Sequence, residues 1–202
     1  MMITTAEELE AIYGPANPRS IAKEIPHLNA DYRAFVEASP MIIIATAGPE
    51  GLDCSPKGDA PGFVQILDDR TLAIPDRPGN NRTDSLRNLI RDPRISLLFI
   101  IPGAGETLRV NGRAQISNEP ELLGRFIVQG KAPRTVILVS IDSTYFHCSK
   151  AFVRSALWDP SRHVERSKLP SAGQILQHLT QGDFDGAAYD RDMPEHTKET
   201  LY

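Results

Sequence analysis

Leu72-Ala73-Ile74-Pro75-Asp76-Arg77-Pro78-Gly79-Asn80-Asn81-Arg82-Thr83-Asp84-Ser85-Leu86-Arg87-Asn88 runs from a strand, through a glycine-containing turn, into a helix with no spacer. Upstream, Ser55-Pro56-Lys57-Gly58-Asp59 ends another strand. A strand that turns directly into a helix gathers free backbone N–H groups and the positive end of the helix dipole at one point, which suits an anion. The pattern predicts a helix over Asn81–Arg91, with Leu86, Leu89 and Ile90 on its apolar face. Arg82 then falls in the first turn, a poor place for a cation unless an anion lies beside it. A phosphate supplies that charge, and guanidinium binds phosphate oxygens in pairs. The competing reading is structural: Asn81 is a good N-cap, Asp84 supports it, and Arg82 is a solvated surface charge.

The flanking sequence is rich in strands. Met41–Thr46 is β-branched and apolar, which predicts a strand buried on both faces, and Gly48-Pro49-Glu50-Gly51 turns it back into Leu52–Lys57. Phe63–Leu67 and Thr71–Pro75 form a hairpin about Asp68-Asp69, and Ile95–Ile101, Thr107–Ser117 and Thr135–Tyr145 read as further strands. Closely spaced strands joined by Gly/Pro turns indicate an antiparallel sheet or barrel. Helices flank this region. Thr5 caps one through Ala11, with Glu8 as its capping-box partner, and Asn29 caps another bearing Tyr32, Phe35 and Val36. A third starts at Asn118 or Glu119 with Leu122, Leu123, Phe126 and Ile127 turned inward, and Ser171–Thr180 is a fourth. The tail after it reads as polar, acidic and loosely ordered.

Composition narrows the function classes. A net charge of −4 over 202 residues offers no basic face for nucleic acid. The longest apolar runs, Met41–Ala45 and Leu97–Ile101, are far too short to span a bilayer, and the first residues lack the pattern of a signal peptide. Two cysteines, Cys54 and Cys148, fit no metal spacing and no disulfide framework, so a cytoplasmic protein is expected. No metal site is expected either: His147 and Cys148 are strand neighbours that face opposite sides. The sequence has no Gly-x-Ser-x-Gly, no P-loop and no Gly-x-Gly-x-x-Gly.

The order Ser-Pro-Lys-Gly-Asp, hairpin, Asp-Arg-Pro-Gly-Asn-Asn-Arg, Ser-Leu-Arg-Asn-Leu, then Asp-Pro-Arg-Ile-Ser-Leu-Leu-Phe resembles the pyridoxamine 5′-phosphate oxidase-like FMN-binding family. It is most similar to that family's bacterial branch of uncharacterised FMN-dependent enzymes, over roughly Pro40 to Trp158. The resemblance implies a mainly β fold, a six-stranded antiparallel Greek-key split β-barrel. It also implies a homodimer with FMN at the interface. Carried over by motif, Ser55, Pro56 and Lys57 line the isoalloxazine and ribityl chain, Asp76 and Asn81 lie beside the flavin, and Arg82 and Ser85 hold the phosphate. Pro56 has a neutral alternative, since it can simply shape a strand edge.

Two later segments look like parts of the same site reached from the partner subunit. Arg109, Asn111 and Arg113 share one strand face, which calls for solvent, a partner chain or a ligand. Lys150, Arg154 and Trp158 recur at four-residue spacing and share a face if helical; cations beside the sole Trp suit a flat or anionic ligand, while a structural Trp with snorkelling cations is equally simple. True pyridoxamine phosphate oxidases carry an Arg-Leu-x-Pro-type ending, whereas this chain reads Pro194-Glu195-His196-Thr197-Lys198-Glu199-Thr200-Leu201-Tyr202. That departure speaks against oxidation of the vitamin compound. The expectation is a single domain over 1–202, with helices over about 1–39 and a helical tail over about 160–202. It is read as an FMN-dependent oxidoreductase acting on a small organic substrate. A non-catalytic flavin-binding redox sensor, and a split barrel that binds haem or a deazaflavin, are the alternatives.

Overall fold

The computed structural model describes residues 2–202. Three helices precede the sheet: α1 (Ala6–Tyr13), α2 (Pro18–Ala22) and α3 (Ala30–Ala38). Their starts obey local capping chemistry. Thr5 and Glu8 form the reciprocal capping box, and the side chains of Asn17 and Asn29 accept N–H bonds from Arg19 and Tyr32. The sequence reading missed α2, a single short turn built on Pro18 at its first position.

The strands are β1 (Met41–Gly48), β2 (Gly51–Gly58), β3 (Gln65–Ile66), β4 (Thr71–Asp76), β5 (Arg94–Ile100), β6 (Thr107–Ser117) and β7 (Thr135–His147). They form one antiparallel sheet in the order β2-β1-β5-β6-β7-β4-β3. The fold is therefore mainly antiparallel sheet with helices, as expected, but the strand count is seven rather than six. Among the described residues no pair joins β2 to β3, so the hydrogen-bonded ladder is open. Pro56 sits on the edge strand β2, where a missing N–H costs least.

Helices follow between and after the strands: α4 (Asp84–Arg91), α5 (Pro120–Gly124), α6 (Lys150–Ser155), α7 (Ala172–Leu179) and α8 (Gly186–Thr200). The tail is not loosely ordered. Asp185 caps α8, Ser171 and Gln174 form a capping box on α7, and Asp190 of α8 accepts from the Gly173 N–H at 2.9 Å. Gly173 and Gly186 lie so close that a side chain on either would strike the other's backbone, and this lets the two helices touch.

The main core lies on one face of the sheet. Ile42, Ile44, Leu72, Ile74, Leu97, Phe99, Leu108, Val110, Ile137 and Val139 pack there with Val36 and Leu89. Full burial of each large side chain contributes about 1.5–3 kcal/mol. β1 is not buried on both faces as its composition suggests: Ile42, Ile44 and Thr46 are buried, while Met41 and Ala45 are exposed. Register places Pro56, Ile43, Leu98, Arg109 and Tyr145 in one row across five strands on the less covered face. Ile127, expected inside, is also exposed, because α5 ends at Gly124 and only Phe126 beyond it packs on Ala73 and Val136.

Candidate functional site

A cavity of about 790 Å³ opens where β2, the end of β4, the loop over residues 77–83, the first turn of α4 and the start of β7 meet. That volume lies within the range of small-molecule and cofactor sites. Seven of the thirteen residues singled out from sequence line it: Ser55, Pro56, Lys57, Asp76, Asn81, Arg82 and Ser85. Period two explains the β2 contribution. Asp53, Ser55 and Lys57 turn inward, and Leu52, Cys54, Pro56 and Gly58 are exposed.

The turn into α4 differs from expectation. The helix begins at Asp84, not Asn81, and its N-cap is Thr83, with φ 58° and no side-chain cap bond. Asn81 is also left-handed, at φ 59°. Neither residue is glycine and Thr83 is β-branched, so the turn holds backbone strain of a kind concentrated at ligand sites. Arg82 therefore precedes the helix. Its backbone N–H donates to Asn80 Oδ1 at 3.1 Å, and its Nε donates to Asp84 Oδ2 at 2.8 Å. That hydrogen bond, and the charge behind it, raise the Arg82 pKa further. The side chain is 75% exposed, free to exchange a carboxylate for another anion.

α4 buries Ser85, Asn88 and Leu89 and leaves Ile90 exposed, contrary to its apolar spacing. Polar contacts set this face. Asn88 Nδ2 donates to Thr46 Oγ1 at 3.2 Å, and Gly48 supplies the space, since a Cβ there would lie 2.2 Å from Asn88 Oδ1. Ser85 thereby points into the cavity and donates to Asp53 Oδ2, which also accepts from Ser55 Oγ at 2.9 Å.

Sequence reading missed Asp53, Arg77, Arg134 and Thr135, all of which line the cavity. Asp53 was readable from the two-residue period that links it to Ser55 and Lys57. Arg134 carried no local signal: its Nη1 donates to Asn81 Oδ1 at 3.0 Å across 53 residues of chain. Lys57 Nζ lies 2.6 Å from Asp76 Oδ1, with both side chains about one-fifth exposed. Arg82, Arg134 and Ser85 gather about the turn into α4, and Ser55 lines the β2 wall.

The other predicted residues lie elsewhere. Arg109 Nη1 donates to the Tyr145 hydroxyl at 3.0 Å, and Asn111 joins Ser96 (2.8 Å) and Ser143 (3.4 Å) in a polar ladder across β5, β6 and β7. Lys150 and Arg154 are exposed on α6. Trp158 does not share their helix, because Ala156 at φ 50° ends it. Its Nε1 donates to Ala104 O at 2.7 Å and its ring stacks on Phe152 at 5.6 Å, so the expected flanking by cations is replaced by an aromatic neighbour.

His147 Nε2 is buried and has no hydrogen-bond partner among the described residues. Burial first, then the charges of Arg109 and Lys23, hold its pKa below the usual imidazole value. A folded state that binds this proton more weakly than the unfolded chain is fully stabilised above about pH 6.5 and loses that stability as pH falls through the depressed value. The melting temperature is expected to fall between about pH 7 and pH 5, and to fall less in His147→Gln. Parallel pH profiles for the two proteins would rule His147 out as the cause.

The fold and cavity define an antiparallel-sheet protein with a polar cavity lined by cations, carboxylates and hydroxyls. The sequence profile described as pyridoxamine 5′-phosphate oxidase matches residues 28–148, more than half of the chain, and the protein belongs to that family. No curated protein matches the sequence. Among solved structures, HupZ of Group A Streptococcus is 16% identical, with 58% of this chain and 91% of that chain covered, at a TM-score of 0.48. A Clostridium acetobutylicum protein of the pyridoxinephosphate oxidase family, related to general stress protein 26, is 13% identical, with 58% and 86% covered, at 0.46. An F420 reductase is 19% identical, with 59% and 98% covered, at 0.42.

Proposed function

We propose that the protein is a homodimeric FMN flavoprotein and an oxidoreductase that acts on a small organic substrate. The observation that carries this reading is the convergence of Arg82, Arg134 and Ser85 on the strained turn before α4, at one end of a cavity of cofactor size. Family membership points the same way. Thr135 Oγ1 is buried at the cavity wall with no partner among the described residues, and it sits opposite Asp76 in the β4/β7 ladder. A polar ligand satisfies it. Arg82, Arg134 and Ser85 would hold the phosphate, Asp53 and Ser55 the ribityl hydroxyls, and Lys57 and Asp76 the ring.

Phosphate binding asks for a switch of partners. The Ser85 hydroxyl must turn from Asp53 to the phosphate, and Arg82 must leave Asp84. Asp53 is then free to accept from ribityl hydroxyls, so one carboxylate serves both states. Bound flavin supplies hydride exchange at N5, and the protein supplies position and electrostatics. At the cavity wall Lys57 and Asp76 neutralise each other.

The less covered sheet face supports a dimer. Ile43 and Leu98 are half-buried there, beside exposed Met41, and Arg109 and Asn111 share that face. We place those two polar residues, with Lys150, Arg154 and Trp158, against the flavin of the partner subunit. A cytoplasmic location is supported by Cys54 and Cys148, which are both free and exposed; no helix among the described residues is long and apolar enough to cross a membrane. Native mass spectrometry of the purified protein tests cofactor and assembly together. The expected species is a dimer carrying two FMN molecules. A colourless monomer that gains no flavin on incubation with FMN would overturn the reading, and a haem or deazaflavin mass would replace it.

A further inference from the structure

Arg77 follows β4, lines the cavity, and is held with unusual completeness. Its Nε donates to Asp59 Oδ2 at 3.1 Å and its Nη1 donates to the Phe126 carbonyl at 2.8 Å. The Tyr202 ring lies 5.2 Å from the guanidinium carbon. Asp59 in turn accepts from the Tyr202 hydroxyl at 2.7 Å and from the Ala60 N–H at 2.8 Å. Lys131 Nζ donates to the Tyr202 carbonyl at 2.6 Å. Three segments far apart in sequence, one after β2, one after α5 and one after α8, thus converge on a single guanidinium.

The two anchoring groups are well shielded, with side chains 16% exposed for Arg77 and 6% for Asp59. Guanidinium carries five N–H donors in a rigid fork. Two of these donors are used, and the rest have no protein partner among the described residues. A donor fork fixed on several sides and left open at a cavity wall is prepared for oxygen acceptors of a ligand, because its ordering cost is met before the ligand arrives.

We infer that Arg77 is a second ligand-orienting group of this cavity, directed at the oxygen acceptors of the bound flavin nucleotide, and that Tyr202 is the residue that positions it. The inference rests on the flavin reading above. It assigns a role to a residue 143 positions from its contact, at the far end of the chain from the motif that marks the site.

The test uses the full chain and three variants. Arg77→Lys keeps the charge and loses the fork, Tyr202→Phe keeps the ring and loses the donor, and Tyr202→Ala loses both. Flavin fluorescence titration is expected to show FMN affinity about tenfold weaker in Arg77→Lys and Tyr202→Ala. Tyr202→Phe should fall between them and wild type. Melting temperatures of the two Tyr202 variants should stay close to wild type. The ¹⁵Nε resonance of Arg77 should shift on FMN addition in wild type and broaden in Tyr202→Ala before any ligand is added. Riboflavin in place of FMN tells which oxygens are read: an equal loss assigns Arg77 to ring or ribityl oxygens, and a loss with FMN alone assigns it to the phosphate. Unchanged FMN affinity in Tyr202→Ala and Arg77→Lys, with wild type binding normally, overturns the inference. If wild type takes up no FMN, the flavin reading fails separately. Inorganic phosphate is then the probe: a phosphate-dependent Arg77 resonance that is lost in Tyr202→Ala sustains the positioning role, and an unmoved one ends it.

Discussion

Replacing Gly112 with alanine is expected to destabilise the fold by about 3 kcal/mol or more, at the upper end of the cost of overpacking. A Cβ at this position would lie 2.1 Å from the Ser140 carbonyl oxygen, 3.1 Å from its carbon and 3.3 Å from Val139 Cγ1. The first two are backbone atoms of β7, so no rotamer change relieves the contact. Gly112 sits at a register shift of the β6/β7 pair, where Asn111 faces Ser143 and Gly112 faces Ile141. Asp142 is the extra residue, and a bulge of this kind bends the strand and brings the backbones together locally. Moving β7 away would break ladder bonds that also carry β4. Urea unfolding measures the effect. A midpoint equal to wild type would mean that the two strands separate at no cost.

Arg82→Ala is expected to weaken FMN binding roughly 30-fold and to leave riboflavin binding unchanged. Truncating one partner of a buried charge pair costs about 2–5 kcal/mol. Arg82 belongs at the low end because its side chain is 75% exposed and because binding must first break its bond to Asp84. Removing the competing partner works in the opposite direction. Asp84→Asn should tighten FMN modestly, with the gain absent in the Arg82→Ala background. Calorimetric titration of both ligands against the variants and the double variant separates these effects. Equal FMN affinity in wild type and Arg82→Ala would take Arg82 out of the phosphate site and leave Arg134 and Ser85 to account for it.

The acid-sensitive region is separate from the cavity. Asp59 illustrates the difference. Burial pushes its pKa up, but hydrogen bonds from Tyr202, the Ala60 N–H and Arg77 outweigh burial and hold it below the usual carboxylate value. Its stabilisation is complete above about pH 4 and is lost only as pH falls through that lowered value. Acid loss seen above that range therefore does not come from the Arg77 anchor.

Much of the fold was legible because its signals are local. Thr107–Ser117 is a strand with the bounds read from the sequence, and the side chains of Thr5, Asn29 and Ser171 cap the helices they precede. Each such signal acts within about four residues, the reach of a cap or a helical turn. At the cavity Arg82 was legible from its turn, whereas Ser55, Lys57, Asp76 and Ser85 were carried over from the family resemblance. Failures occurred where distant partners decide. Apolar spacing put Ile90 inside, but Thr46 and Gly48 draw Asn88 and Ser85 against the sheet instead. Asn81 reads as an N-cap, yet it is left-handed and bonded to Arg134.

The amino-acid sequence by itself determined the strands, the starts of α1, α3, α5 and α7, and the chemical character of the turn before α4. Backbone propensity and capping are settled by near neighbours, so those features needed nothing else. Tertiary structure decided which face of α4 is buried, that the ladder runs open through seven strands, and that Asp53, Arg77, Arg134 and Thr135 complete the cavity. Those outcomes depend on contacts between segments 32 to 143 residues apart, such as Ser85 with Asp53 and Tyr202 with Asp59. Their closure costs chain entropy that only the assembled core repays.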